Sequence, residues 1–256
     1  MIKFDILTIF PGMFESYLQE SFIRKAQERG LIGIDLHDIR QFADDARKSV
    51  DDRPYGGGLG MVLKIEPIVK TLASFLKFEL KGSKLKVAPQ KRPVSAEKKG
   101  KTKIILFTPR GEQFTQRMAY KFSKLDRLVM ICGRYEGVDE RTAKNIADME
   151  VSVGSYDLMG GELPAMIVME TIARLVPGVL GKPEFLKERV SKEKGFIEGQ
   201  QYTRPEAFDP KPFVSKGFGG KKGPVKTRLW KVPKVLLDGD HKEISRWREG
   251  HQKNIL

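Results

Sequence analysis

The sequence predicts an α/β protein with a mainly parallel sheet, followed by a small, mainly helical C-terminal domain. Short apolar segments of strand length alternate with segments of helical periodicity through the first 180 residues or so, a pattern typical of parallel sheets. After Gly178 the periodicity stops, and residues 178–235 carry few periodic apolar positions and many charges. We therefore predict a long linker there, a domain boundary near residue 180 and a last helix at 240–250, capped by Asp240.

The individual elements follow from local composition and spacing. Apolar and β-branched residues predict strands at 2–10, 31–39, 103–109, 126–132 and 149–153. Apolar residues at helical spacing predict helices from Pro11 to Gly30 and at 67–80, 112–124, 139–147 and 162–176. The last of these helices is apolar nearly all round, which predicts that it is deeply buried.

Composition restricts the class of protein. The chain has 256 residues, of which 40% are hydrophobic and 31% charged, as in globular proteins rather than disordered ones. A single cysteine, Cys132, excludes an intramolecular disulfide, and the three histidines lack the close spacing of metal motifs. No apolar run approaches 18 residues and no signal-peptide pattern opens the chain, so we expect a cytoplasmic protein.

The net charge of +14 is concentrated in two Gly/Pro/Lys-rich segments. Residues 81–103 hold nine basic residues and one acid, and residues 210–236 hold eight basic residues and no acid. Each segment therefore contributes +8, and the rest of the chain sums to −2. Such segments suit a polyanion, although solubilising surface loops would look the same. Charge alone does not separate tRNA from ribosomal RNA, DNA or a membrane.

Three glycine-containing loops follow predicted strands, at 108–111, 133–137 and 154–162. The common phosphate-binding motifs, Gly-x-Gly-x-x-Gly and Walker A, are absent from the sequence. In an open α/β sheet, ligands bind outside the carboxyl ends of the strands, where glycine lets backbone groups approach them closely. The loops therefore predict a ligand site, although each of them alone could be an ordinary tight turn.

Two single residues attract attention. Arg174 lies on the most apolar helix, where a charge is costly unless it is paired. It either forms an ion pair with Glu170 one turn earlier or is a cation aimed at a developing negative charge. Cys132 adjoins the loop at 133–137, but no histidine is near it in sequence, which favours a buried thiol over a nucleophile.

Six longer motifs occur in order along the whole chain: VDDRPYGGG (50–58), CGRYEGVDER (132–141), SVGSYDLMGGELPAM (152–166), RLVPGVLG (174–181), QYTRPE (201–206) and VPKVLLDGDHKEISRWR (232–248). In order and spacing they resemble the bacterial tRNA (guanine-37-N1)-methyltransferase family, TrmD, of the SPOUT class. The resemblance implies a parallel sheet whose C-terminal part forms a trefoil knot. It also implies a homodimer with its active site at the subunit interface.

The resemblance further implies a reaction. Methyl transfer from S-adenosylmethionine to N1 of guanine 37 is expected, in tRNA that carries guanine at positions 36 and 37, with Mg²⁺ required. The resemblance also implies a division of the chain into a knotted donor-binding domain (1–180), an interdomain catalytic loop (181–203) and a C-terminal tRNA-binding domain (204–256). The donor-binding positions that it implies are Leu106, Phe107, Thr108, Pro109, Gly133, Tyr135, Glu136, Val153, Gly154, Ser155, Tyr156, Asp157, Leu158, Gly160, Gly161 and Pro164.

The chemistry assigns roles to the catalytic residues that the resemblance implies. N1 of guanine carries a proton that a general base must remove, and negative charge then grows on O6. Arg174 matches the arginine that stabilises O6 in the family. The family's acid position, however, is occupied by Arg189 or by Val190, depending on the direction of counting. We therefore expect Glu188 to be the base, with Glu193 as the second choice.

Other departures from the family pattern lie in two glycine-rich loops: Leu59, Ser155, Asp157 and Met159. These residues could alter the affinity for the methyl donor. Both basic segments look longer than the corresponding connections in the family, and we expect them to add contacts to the tRNA backbone. Two alternatives stay open at this point. One is a SPOUT methyltransferase that acts on another RNA position, and the other is a tRNA-binding homologue without catalysis.

Overall fold

The computed structural model of the protein describes residues 1–88, 101–181, 190–191, 195–210 and 228–255. The chain divides into two compact units, one within Met1–Glu193 and one within Lys194–Ile255. The basic residues at 89–100 and 211–227 and the predicted bases Glu188 and Glu193 lie outside the described residues. The assignment of the units to donor and tRNA binding stays a prediction.

The first unit alternates strands and helices along the chain. Its elements are β1 (Ile2–Thr8), α1 (Glu15–Leu18), α2 (Ser21–Glu28), β2 (Ile32–Asp38), β3 (Asp51–Asp52), β4 (Val62–Leu63), α3 (Ile65–Phe75), β5 (Phe78–Lys81), β6 (Lys84–Val87), β7 (Thr102–Gln113), α4 (Gln116–Phe122), β8 (Arg127–Ile131), α5 (Glu140–Asn145), β9 (Met149–Ser152), α6 (Glu162–Ala173) and β10 (Val190–Ser191). Short 3₁₀ turns occur at Pro11–Phe14 and Ile39–Phe42.

Five of these strands form a parallel sheet in the order β2-β1-β8-β7-β9. All five are the strands that the apolar segments predict, so the α/β class and the parallel sheet are confirmed. The pairing of β7 with β9 shifts register between Phe107 and Glu112, which re-aims the carboxyl end of β7. The trefoil knot stays a prediction.

Apolar side chains cover both faces of the sheet. One buried cluster joins the sheet to α2, α4 and α6, with Phe4, Ala119 and Val168 among its members. The other joins it to α3 and to the chain after α5, through Ile68 and Ile146. Burial on both faces explains why the strands are continuously apolar rather than alternating. Within the described residues, no helix combines the length and apolar character that crossing a bilayer requires.

Three predicted elements differ from the structure. The helix predicted from Pro11 to Gly30 is instead a 3₁₀ turn and two short helices, because the chain turns between Leu18 and Ser21, where Ser21 has a φ of 49°. The helix predicted at 67–80 ends at Phe75, and a hairpin of β5 and β6 follows, with Gly82 in its turn at a φ of 62°. The helix predicted from 112 begins at Gln116, since β7 continues to Gln113.

The second unit contains β11 (Gly195–Gly199), β12 (Ala207–Phe208), β13 (Trp230–Lys231), a 3₁₀ turn (Lys234–Leu236), α7 (His241–Gly250) and β14 (Gln252–Ile255). β11 pairs with β14 and β12 with β13, both antiparallel. The prediction of a long linker over 178–235 is therefore wrong for the described residues 195–199, 207–208 and 230–231, because these strands pair with partners distant in sequence. Asp240 caps α7 as predicted, accepting from the backbone N–H of Lys242 at 2.9 Å.

Candidate functional site

A cleft of about 700 Å³ opens at the carboxyl ends of β7, β8 and β9. Fifteen of the sixteen predicted donor-binding residues line it, and Ser155 is the exception. The three glycine-containing loops thus converge as the sequence suggests, because parallel strands end at one edge of the sheet. Binding of a methyl donor by these residues stays a prediction at this point.

Two of the loops are hydrogen bonded to each other. The backbone N–H of Gly161 donates to the carbonyl oxygen of Gly133 at 2.9 Å, and Arg134 pairs with Gly160 in an isolated antiparallel bridge. A Cβ atom at Gly161 would lie 2.6 Å from Cα of Cys132, which no relaxed backbone tolerates. Glycine at this position therefore sets the separation of the two loops.

On its other side, the loop at 133–137 is hydrogen bonded to β4 and to the residue before it, Met61. Glu136 donates its backbone N–H to the carbonyl oxygen of Met61, and Leu63 donates to that of Gly137, both at 3.0 Å. Tyr135 has a φ of 62°, a left-handed conformation that non-glycine residues adopt at a cost and that often marks functional sites. These contacts place the glycine-rich segment 56–60, which precedes β4, beside the cleft, with Gly60 close to Glu136.

A buried carboxylate, Glu162, lies next to the cleft and binds Arg134, which lines it. It is fully buried at the start of α6, where it accepts from the hydroxyl of Thr8 at 2.7 Å and from Nε of Arg134 at 2.9 Å. The guanidinium of Arg134 also lies 4.7 Å from the centre of the Phe10 ring. Sequence reasoning missed Glu162 and Arg134, although an acid that opens an apolar helix directly after Gly160–Gly161 was a usable signal.

The cleft contains several carboxylates and few cations. Arg110 bridges Glu140 and Glu150, with N–O distances of 2.5 and 2.9 Å, and its guanidinium holds the pKa of Glu140 below the usual range. Glu136 and Asp157 also line the cleft, and neither has an ion-pair partner among the described residues. Both carboxylates are exposed, and their negative charge would attract a cationic ligand.

Cys132 is a structural thiol. It is fully buried beneath the cleft, and burial raises its pKa well above the ordinary value. The nearby Glu162 carboxylate raises this pKa further. The prediction of a buried thiol rather than a nucleophile is therefore confirmed, because a thiol must ionise to attack.

Arg174 does not line the cleft of its own chain. It ends α6, and its side chain forms no ion pair with any described residue. Glu170, the partner that the sequence offers, instead accepts a hydrogen bond from the hydroxyl of Tyr17 at 2.5 Å. The ion-pair alternative for Arg174 is therefore wrong.

One cluster of possible metal ligands occurs among the described residues: Asp5, Asp35 and His37. Lys3 lies 2.5 Å from Asp35, and Arg127 lies 3.3 Å from the buried carboxylate of Asp5. Nε2 of His37 is 2.9 Å from that carboxylate as well. Lys3 and Arg127 already neutralise the two carboxylates. We therefore interpret the cluster as an ion network of the sheet, which does not line the cleft.

The chain is similar to known proteins over nearly its whole length. The family model described as tRNA (Guanine-1)-methyltransferase TrmD matches residues 2–255. A tRNA (guanine-N(1)-)-methyltransferase of Dictyoglomus turgidum is 41% identical over 258 residues, covering 100% of this chain and 88% of the relative. A protein of the same name from Geobacillus kaustophilus is 42% identical, covering 97% and 85%, and one from Chloroflexus aggregans is 39% identical, covering 98% and 83%.

Proposed function

Because the chain belongs to the TrmD family of tRNA (guanine-N1)-methyltransferases, we propose that it methylates N1 of guanine 37 in tRNA with guanine at position 36. The observation that carries this proposal is the convergence of fifteen predicted donor-binding residues on one cleft. Its volume, about 700 Å³, lies within the usual range for sites of small ligands and cofactors.

The methyl donor is S-adenosylmethionine, which supplies a methyl group on a positively charged sulfonium. The glycine loops allow backbone groups to approach such a ligand closely. The carboxylates of Glu136 and Asp157, which have no ion-pair partner among the described residues, would favour its positive charge. The loops are hydrogen bonded to each other, so little binding energy would be lost in ordering them.

On the acceptor side, we assign Arg174 to the stabilisation of the charge that grows on guanine O6. Proton removal from N1 is assigned to Glu188, and in second place to Glu193. The support for Arg174 is its match to the family's arginine and the lack of an ion-pair partner among the described residues. A charged side chain on an otherwise apolar helix needs some such counter-charge.

We infer that a site including Arg174 is shared between two copies of the chain. Gly161 and Pro164 line the cleft at the start of α6, whereas Arg174 lies twelve residues beyond Glu162, about 18 Å along the helix axis. Its side chain cannot span that distance within one chain. We therefore propose a homodimer in which Arg174 of one subunit acts at the cleft of the other.

The outer face of α6 is the surface proposed for this contact. Leu163 and Ile167 are 51% and 43% exposed, and they share one helical face with Glu170 and Arg174. Seven of the twelve residues of α6 are buried, so the prediction of a deeply buried helix holds for its inner side, whereas this apolar outer face is open. A second subunit on it would remove apolar surface from water and bring Arg174 to the interface.

Mg²⁺ would find suitable ligands in the cleft. This ion uses one or two protein carboxylates and completes its shell with water and substrate oxygens. Glu136 and Asp157 would be the residues to hold it, since Glu140 and Glu150 are already paired with Arg110. Since Mg²⁺ needs only one protein carboxylate, the other of the two would remain available to the positive charge of the sulfonium.

We assign tRNA binding to the second unit and to the two basic segments, 81–103 and 210–236. In the second unit, Trp230 is two-thirds exposed on β13, with Arg228 and Lys231 on either side. Exposed aromatic and basic side chains are typical of surfaces that bind RNA. The cytoplasm, where tRNA is found, is the expected location.

The proposal is tested by incubating the protein with S-adenosylmethionine, Mg²⁺ and unmodified tRNA that carries guanines 36 and 37. Mass spectrometry of nuclease digests should find 1-methylguanine at position 37 and at no other position. A tRNA with adenine at position 36 is the matched control, and it should react poorly. Methylation of another position, or tight binding without product, would contradict the proposal. A Glu188→Gln variant with full activity would refute the choice of base.

A further inference from the structure

The hydrogen bond between Tyr17 and Glu170 joins two segments that are 153 residues apart in sequence. Tyr17 belongs to α1, and Glu170 lies on the outer face of α6. The phenol donates to Oε2 of the carboxylate at 2.5 Å, within the range of a strong charge-assisted hydrogen bond. Phe14, three residues before Tyr17, is fully buried and fixes the start of α1 in the core.

Arg174 is a second potential partner of Glu170, but the two side chains form no ion pair. Arg174 is four residues further along α6, the spacing at which a glutamate and an arginine form an ion pair on a helix. The two residues are linked only through the backbone, where Arg174 N–H donates to the carbonyl oxygen of Glu170 at 3.1 Å. The side chain of Arg174 has no ion-pair partner among the described residues.

We propose that Tyr17 is a positioning residue for methyl transfer, which holds the Glu170 carboxylate away from Arg174 and leaves the guanidinium available to the guanine. An ion pair with Glu170 would neutralise the charge that O6 needs and would turn the guanidinium back along α6. This inference rests on the proposed role of Arg174 and adds a residue that the family motifs do not contain.

The environment of Tyr17 keeps the interaction intact under working conditions. Burial, the hydrogen bond to Glu170 and the negative charge of that carboxylate all raise the pKa of Tyr17. The phenol therefore remains a protonated donor throughout the neutral and mildly alkaline range. Glu170 consequently has a permanent donor on α1.

The test compares wild type with Tyr17→Phe, Glu170→Gln, the double variant and Arg174→Ala in steady-state methylation of tRNA. Tyr17→Phe should lower kcat about twofold, the effect of an ion pair that forms between residues four apart on a helix. KM for S-adenosylmethionine and for tRNA should change little. Glu170→Gln in the Tyr17→Phe background removes the competing charge and should return kcat to the wild-type value.

A crystal structure of the Tyr17→Phe variant provides a readout that does not depend on activity. Arg174 and Glu170 should then lie within ion-pair distance. Tyr120→Phe is the matched control, because Tyr120 belongs to α4, which also packs on α6, and its kcat should equal that of wild type.

Three results separate the possible failures. If Tyr17→Phe keeps full kcat while Arg174→Ala is inactive, Tyr17 does not position Arg174. If the double variant stays as slow as Tyr17→Phe, the tyrosine acts through packing, and the inference is likewise wrong. If Arg174→Ala itself keeps full activity, the proposed role of Arg174 fails, independently of Tyr17.

Discussion

At the scale of single residues, the candidate site depends on charges that are removed from water. Glu162 is fully buried, and the donors to its two carboxylate oxygens come from the end of β1, Thr8, and from the loop after β8, Arg134. Such a group is tolerated only while its partners are present, because a buried charge without them keeps its full desolvation cost. The ion pair of Glu162 and Arg134 therefore joins α6 to the loop after β8. Substitution of either residue should destabilise the protein.

We predict that Glu162→Gln lowers the free energy of unfolding by about 3 kcal/mol, since Arg134 keeps its charge and loses its counter-charge. Urea denaturation of the purified protein measures the change. Glu28→Gln is the matched control, because Glu28 forms an exposed ion pair with Arg24 at 2.6 Å. That variant should lose less than about 0.5 kcal/mol. Equal losses in the two variants would contradict the special role of burial.

At the scale of elements, the site consists of loops whose separation is set by close backbone contacts. The loop before α6 lies directly against the loop after β8, through Gly161 and the backbone of Cys132 and Gly133. Each loop leaves a different strand, so neither has its final conformation until the sheet has formed. The cleft therefore depends on the relative position of β8 and α6 more than on any single side chain.

Gly161→Ala should abolish measurable binding of S-adenosylmethionine, because the added Cβ would lie 2.6 Å from Cα of Cys132 and must push the loops apart. Isothermal titration calorimetry measures the affinity, and circular dichroism checks that the fold survives. Gly250→Ala is the control, since nothing lies within 4 Å of the added atom there. Unchanged donor affinity in Gly161→Ala would refute the assignment of the cleft.

At the scale of the whole molecule, two features do not contribute to folding of the single chain. The outer face of α6 is apolar and open, and it ends at Arg174, which does not line the cleft of its own chain. The basic segments carry a charge of +16 in a protein whose net charge is +14. Both features are explained if the active protein is a dimer that binds a polyanion.

The dimer is tested by mixing two inactive variants, Gly161→Ala and Arg174→Ala, after joint unfolding and refolding. If Arg174 acts in trans, each mixed dimer regains one complete site, and random pairing restores about a quarter of wild-type activity. Mixtures without subunit exchange are the control and should stay inactive. Ile167→Glu should shift the protein to a monomer in analytical ultracentrifugation. No recovery in the refolded mixture would contradict a shared site.

Replacing residues 210–228 by an uncharged linker of equal length should flatten the salt dependence of tRNA binding. This stretch holds six basic residues, so the slope of log affinity against log salt concentration should decrease by about four to five if all six contact phosphates. Filter binding at several salt concentrations measures the slope, and Gly250→Ala is the control with unchanged charge. An identical slope in the two variants would exclude these residues from the RNA contact.

Much of the fold is encoded locally and could therefore be predicted. The five strands, α4 to α6 and the Asp240 cap follow from apolar periodicity and capping preferences, which act within one segment. The break near Ser21 and the hairpin after Phe75 could not be predicted, because tertiary packing overrides a continuous helical pattern there.

The α/β class, the family and most of the residues around the cleft could be predicted, because each depends on residue types and their order along the chain. Tertiary structure alone decided which groups are paired. It buries Glu162 against Arg134 and brings Tyr17 to Glu170 across 153 residues, and it separates Arg174 from the cleft by the length of α6. These outcomes depend on distances between elements remote in sequence, which no local pattern specifies.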